Sequence, residues 1–289
     1  MACRKFELVA CQAALLLGVL LCATAPNSVG AEPGDSPAMA LVPAGPAILG
    51  SDEAERAFGY SIGGEGARRF RWFDREQPRH VAALPAFRID LAAVTQAAYV
   101  NFVRATGRAA PFITEADYRE QGFLVHPYDE VRPYLWRGGK PPEGKALHPV
   151  VLVSQPDAEA FCHWRGSAYG DRCGLPTEDE WEKAARGTDG RYFPWGNDWA
   201  PSRLNSGSSG PWGTTPVRAY PQGRSPYALY DMAGNVFEWT ATEGRPGRFI
   251  LKGGSWDDEG GICRAAARHD RPAATRHILI GFRCRCAVR

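Results

Sequence analysis

The chain lacks a surplus of charge of either sign. Lys+Arg total 34 against 32 Asp+Glu, a net of +2 over 289 residues, and no basic run concentrates it. That removes the electrostatic reason to expect a nucleic-acid partner. Also missing are a Cys-x-x-Cys pair, zinc-finger Cys/His spacing, an HExxH helix, a GxSxG elbow and a phosphate-cradling glycine loop. Structural zinc, zincin proteolysis, serine hydrolysis and nucleotide binding therefore have no motif to rest on. Past residue 31 no run approaches the ~20 apolar residues a membrane-spanning helix needs. There is no internal repeat and no inter-domain linker.

What is present begins with a targeting segment. Arg4 and Lys5 precede an apolar stretch from Leu8 to Ala25, and Val29-Gly30-Ala31 before Glu32 offers a cleavage site. Residues 1–31 read as a secretory signal peptide, 32–40 as a flexible leader and 41–289 as one domain. The mature protein is expected to be exported, periplasmic or secreted, and free of the membrane. Cys162, Cys173, Cys263, Cys284 and Cys286 remain after cleavage. An oxidising compartment favours disulfides, and an odd number leaves one thiol over.

At 44% hydrophobic residues the chain can bury a core, while 32 Gly and 23 Pro point to a path set by turns. Leu41–Ser51 reads as a short strand with turns, residues 52–75 as loop, and Phe87–Asp90 as a strand. Thr95 caps a helix to Thr106 that Gly107 ends, and 111–149 is a long ordered loop region. Val150–Val153 is a compact β-branched run before Ser154, a helix cap. Thr177 and Glu180 form a capping box for a helix ending at Gly187. Beyond it, order is expected to come mostly from turns. The fold class is α+β, with few short helices and strands in much ordered loop.

Several stretches occur in fixed order: HPVVLVSQPDAEAFCHW (148–164), LPTEDEWEKAARGTDGRYFPWGN (175–197), YALYDMAGNVFEWT (227–240), LKGGSW (251–256) and IGFRC (280–284). Together they resemble the formylglycine-generating enzyme, or sulfatase-modifying factor, family over residues 41–286. The resemblance implies a variant of the C-type-lectin-like fold. It also implies several chemistries: copper-dependent oxidation of a substrate cysteine, sulfoxide synthesis of the ergothioneine type, pyoverdine maturation, and plain binding. Fold alone does not choose among them.

The oxidase branch uses two cysteines shortly after the Gly-Gly-Ser motif, a thiolate pair suited to Cu(I). Here Gly253-Gly254-Ser255 is followed by Trp256, Asp257, Asp258 and Glu259, and only Cys263 appears. The copper pair is absent, so Cu(I) and authentic formylglycine formation are not expected. The acidic triplet reads first as a solvated loop, with a cation site or general base as the sharper reading. Pocket residues implied by the resemblance are Trp195, Phe237, Ser255, Trp256 and Arg268.

The resemblance also implies Ca²⁺ on the Asp231 and Glu238 carboxylates with the Gly234 and Val236 carbonyls. The bland alternative is that the two acids cap turns and meet an arginine. A weaker second calcium site would fall at Asn205, Ser206, Ser209 and Pro211. One disulfide, Cys162–Cys284, follows from matching positions, whereas a second family bridge would need cysteines where Ala185 and Ala265 stand. For the remaining thiols, a Cys173–Cys263 bond and a Cys284/Cys286 metal clip both stay open. Each histidine alone reads as structural or exposed, although His269 and His277 flank Arg268, Arg271 and Arg276, a basic cluster that could receive an anion or an acidic loop. The expected role is maturation of, or assistance to, a periplasmic protein, peptide or small metabolite, with an oxidative step within its range. A non-catalytic lectin-like binding module is the rival.

Overall fold

Three side-chain caps fix where the main helices begin. The Thr95 hydroxyl accepts the Ala98 N–H at 3.2 Å and starts the helix Gln96–Thr106. Ser154 with Asp157, and Thr177 with Glu180, close reciprocal capping boxes that start the helices Gln155–Ala168 and Glu178–Arg186. The computed structural model describes residues 38–288, so the signal-peptide segment and most of the expected leader lie outside the described residues. In order the elements are β1 (Met39–Val42), β2 (Gly45–Leu49), α1 (Glu53–Ile62), α2 (Gly64–Arg69), β3 (His80–Leu84), β4 (Phe87–Asp90), α3 (Gln96–Thr106), α4 (Glu115–Glu120) and α5 (Tyr128–Val131). Then come α6 (Gln155–Ala168), β5 (Cys173–Gly174), α7 (Glu178–Arg186), β6 (Phe237–Glu243), β7 (Arg248–Lys252), β8 (His269–Pro272), β9 (Ile280–Gly281) and β10 (Arg285–Ala287). Among these residues no helix is long and apolar enough to cross a membrane.

The first and last strands of the described residues flank β4 in one antiparallel sheet of order β1-β4-β10-β5. β2 and β3 form a separate pair, and β8-β7-β6-β9 a third sheet in which β6 and β9 run parallel. The main core joins Tyr99 and Phe102 of α3, Phe161 of α6, and Phe237 and Trp239 of β6, with Tyr99 and Phe161 stacked at 5.5 Å. A second core packs Val42, Phe87 and Ile89 against Trp181, Ala184 and Ala185 of α7. Ala265 is buried in that same cluster, so alanines fill the two positions of the family bridge.

Several expectations need correction. Residues 52–75 are not loop: Asp52 accepts the Glu55 N–H at 2.8 Å and caps α1, α2 follows, and Trp72–Arg75 is a 3-10 turn. Gly59, Gly63, Gly64 and Gly66 break the apolar period there, which hid the helices. β1 opens at Met39, inside the segment expected as leader. The β-branched run Val150–Val153 is wholly buried and irregular, with Leu152 at φ 61. Cys162 does bond Cys284. Cys173 bonds Cys286, its register partner across β5 and β10, with Cα atoms 4.0 Å apart. Cys173–Cys263 is therefore wrong, and the Cys284/Cys286 clip has no thiols to offer. Cys263 is left free and buried.

A buried chain of alternating charge ties α1, α7, β7 and the segment before β8 together. It runs Glu76, Arg264, Glu55, Arg186, Glu182, Lys252, Glu178, Arg268. Its contacts include Arg264–Glu76 at 2.5 Å, Arg186–Glu55 at 2.9 Å, Lys252–Glu182 at 3.0 Å and Arg268–Glu178 at 2.9 Å. Four acids alternate with four bases, so charges this deep are tolerated as neighbours of opposite sign.

Candidate functional site

The site is laid out by the Gly253-Gly254 turn. Both residues have positive φ, 97° and 70°. A Cβ on Gly254 would stand 2.7 Å from Cys263 Sγ, and one on Gly253 3.1 Å from the Trp181 ring. Glycine is what lets the chain enter here and present Ser255, which is wholly buried.

Ser255 Oγ lies 2.7 Å from Asp257 Oδ1 and is also hydrogen-bonded to Asp258 Oδ2. The Ser255 N–H donates to that same Asp258 oxygen at 2.8 Å. A hydroxyl carries one proton. Two carboxylates cannot both receive it, so one of the two acids holds a proton of its own. Asp258 is that acid: burial, reinforced by the Asp257 charge, pushes it up to about 8. Ser255 thus stands between two carboxyls that compete for its one hydroxyl proton, with Asp258 Oδ2 accepting from both the Ser255 hydroxyl and the Ser255 N–H.

His126 extends the row. It is buried, with Nε2 2.9 Å from Asp257 Oδ2 and Nδ1 2.7 Å from Glu130 Oε2. Burial opposes its charge, but the Asp257 and Glu130 carboxylates outweigh that and raise its pKa. The imidazole packs on Trp256 at 4.9 Å, and Trp212 meets Trp256 edge-on at 5.2 Å. Trp212 is 68% exposed and forms the outer rim, while the buried Trp256 Nε1 has no hydrogen-bond partner. Tyr118 supports His126 from below, donating to its carbonyl at 2.8 Å.

The acidic triplet is therefore not simply a solvated loop. Asp257 and Asp258 are partly buried and bonded inward, and only Glu259 is exposed. Ser255 and Trp256 sit together here. Phe237 and Arg268 belong to a neighbouring place: Phe237 meets His269 at 5.3 Å, and Arg268 ends the buried charge chain. Trp195 stacks on Phe193 at 5.1 Å and packs with Leu204, Ala233 and Cys263. His126 and Glu130 escaped the sequence reading because 131 residues separate His126 from Asp257. The i,i+4 spacing of His126 and Glu130 was the single local hint.

The residues implied for calcium differ in what they offer. Glu238 accepts from Arg283 Nε and Nη2, each at 2.7 Å, and from Trp181 Nε1 at 2.7 Å, so its charge is already matched. Asp231 has no such partner beyond the Arg218 N–H at 2.8 Å, and burial pushes it up to about 6. Asn205 Oδ1 is a buried acceptor with no donor, while its Nδ2 is committed to Gly213 O at 2.9 Å and Asn235 Oδ1 at 3.2 Å. Ser206 is buried beside it, whereas Ser209 and Pro211 are exposed. Asp231 and Asn205 thus fit a hard cation, and Glu238 fits it least.

A mixed helix-and-strand scaffold, pinned by two disulfides and carrying a buried polar row after a Gly-Gly-Ser turn, defines the class. Residues 25–288 match the sulfatase-modifying factor enzyme 1-like domain, and the chain belongs to that family. Mouse "inactive C-alpha-formylglycine-generating enzyme 2" is 33% identical over 288 residues, covering 86% of this chain and 85% of that protein. Bovine formylglycine-generating enzyme is 30% identical over 319 residues, covering 91% and 78%. The solved structure of PvdO from Pseudomonas aeruginosa superposes with a TM-score of 0.69 at 23% identity, covering 88% of this chain and 96% of that one. The fold is that of the formylglycine-generating enzymes, and a C-type-lectin-like variant is consistent with it.

Proposed function

We propose that this protein is an exported maturation or accessory factor for a periplasmic protein, peptide or small metabolite, and that its Ser255 cluster works by moving protons instead of by copper-thiolate oxidation. One observation carries the reading: where the resemblance calls for a thiolate pair, the Ser255 hydroxyl lies between the Asp257 and Asp258 carboxyls with His126 behind them. Asp258 supplies a proton and Ser255 relays it toward Asp257, while His126, with both ring nitrogens donating to carboxylates, holds Asp257 and Glu130 in place. Among the described cysteines Cys263 alone is unpaired, and burial holds its thiol well above the usual range. A single buried thiol is a poor seat for Cu(I), which two thiolates suit better. The name of the mouse relative, an inactive enzyme of this family, supports the same view.

Calcium belongs to the proposal as a structural ion. Asp231, Gly234 and Val236 would hold one ion with Glu238 as the weakest contributor, and Asn205 with Ser206 a second. The ion would supply positive charge to buried oxygens that lack it and would take no part in proton transfer.

The test is metal analysis together with oxygen consumption on the mature protein purified without chelators. Calcium alone with no oxygen uptake is expected. Stoichiometric copper with thiol-dependent oxygen uptake would overturn the reading and restore the oxidase.

A further inference from the structure

A cavity of about 440 Å³ opens between Trp72–Arg75, the β6–β7 turn and β8. It shares no lining residue with the Ser255 cluster. Four arginines face it: Arg75, Arg245, Arg268 and Arg271. Their compensation is unequal. Arg245 is bidentate to Asp270 at 2.7 and 2.6 Å, and Arg248 claims the same carboxylate at 3.0 Å. Arg268 is paired with Glu178. Arg271 meets no carboxylate: its Nη1 donates to the Asp270 carbonyl at 2.9 Å, and its guanidinium lies 4.0 Å above the Phe123 ring. Arg75 is exposed and has no ion-pair partner among the described residues.

Two buried guanidinium donors complete the picture. Arg268 Nε and Arg271 Nε are shielded from solvent and have no acceptor, an expensive state for charged N–H groups. Burial and the nearby Arg248 charge push the Arg271 pKa down, outweighing the opposite pull of the Asp270 and Asp258 carboxylates. One wall is aromatic: Trp72 meets His269 edge-on at 5.7 Å and stacks on the exposed Phe70 at 6.3 Å. The volume lies in the range of small-molecule sites.

We propose that this cavity binds a small ligand through a carboxylate or phosphate group, held by the forked donors of Arg271, Arg268 and Arg75, with a planar apolar portion laid against Trp72. Guanidinium forks match both oxyanions in geometry, and the ring wall favours a ligand that carries more than the anion. The inference stands apart from the proton-transfer reading, since it uses different residues and a different readout.

The test is calorimetric titration of the mature protein with inorganic phosphate and, separately, with benzoate. Both are expected to saturate at one site, benzoate the more tightly. R75A, at an exposed position that folding does not need, should weaken both by about tenfold, and R271Q by roughly ten- to a hundredfold. R271K keeps the charge but loses the fork, and should fall between wild type and R271Q. W72A should weaken benzoate and leave phosphate unchanged. Phosphate binding tighter than benzoate, with W72A neutral for both, would remove the apolar part of the proposal. The absence of saturable binding by either anion would overturn it, and so would wild-type affinity in R75A/R271Q with an unaltered melting temperature.

Discussion

Two polar networks lie within the same molecule and are built to opposite rules. The chain from Glu76 to Arg268 alternates four acids with four bases and is closed to solvent along most of its length. The row from Asp258 to Glu130 sets three carboxyls against one histidine and reaches solvent at its Glu130 end. Where charges are matched, every proton has a settled owner and the network is scaffold. Where acids outnumber bases, at least one proton is shared, and the group that holds it can be changed by whatever enters. That contrast separates site from scaffold here better than burial does, since Ser255 and Arg264 are equally inaccessible.

Breaking the balanced network should have the largest effect. R264A leaves Glu55 and Glu76 buried without their shared partner and should cost about 3–5 kcal/mol in urea unfolding. H126A removes two charge-assisted hydrogen bonds from the unbalanced row but leaves carboxylates that already reach solvent, Glu130 at 47% and Asp257 at 16% side-chain exposure. Its expected cost is about 2 kcal/mol, and a loss as large as that of R264A would erase the distinction. The smallest effect is one of slope. Asp258 rises from 3.8 to about 8 on folding, so the folded state binds more protons than the unfolded state between those values. The stability that goes with this proton is present in full below the unfolded pKa and is lost as pH rises through the folded one. D258N has no such titration. Its stability relative to wild type should therefore climb between pH 5 and pH 9, and a constant difference would refute the assignment.

Much of this contrast was invisible in the sequence. Local signals were readable: the Thr95, Ser154 and Thr177 caps, Gly107 and Gly187 as stops, and β4 each depend on neighbours in the chain. The helices of 53–69 were not readable, because glycines interrupt their period and their buried face is held by a charged residue, Glu55, whose partners lie 131 and 209 residues away. The strands β6 to β8 were missed for the same reason, since pairing partners rather than local alternation define them. The Gly-Gly-Ser turn and its acidic sequel were visible as letters. Their meaning came from His126, supplied by a distant loop. The pairing of Cys173 with Cys286 likewise depends on strand register, which no spacing rule contains.

Carboxyl-difference infrared spectroscopy tests the central claim most directly. At pH 7 the wild-type protein should show a protonated-carboxyl stretch that is absent from D258N and that titrates away near pH 8. If wild type and D258N give the same spectrum at pH 7, no proton resides on Asp258, and the cleft is not the proton-sharing site described.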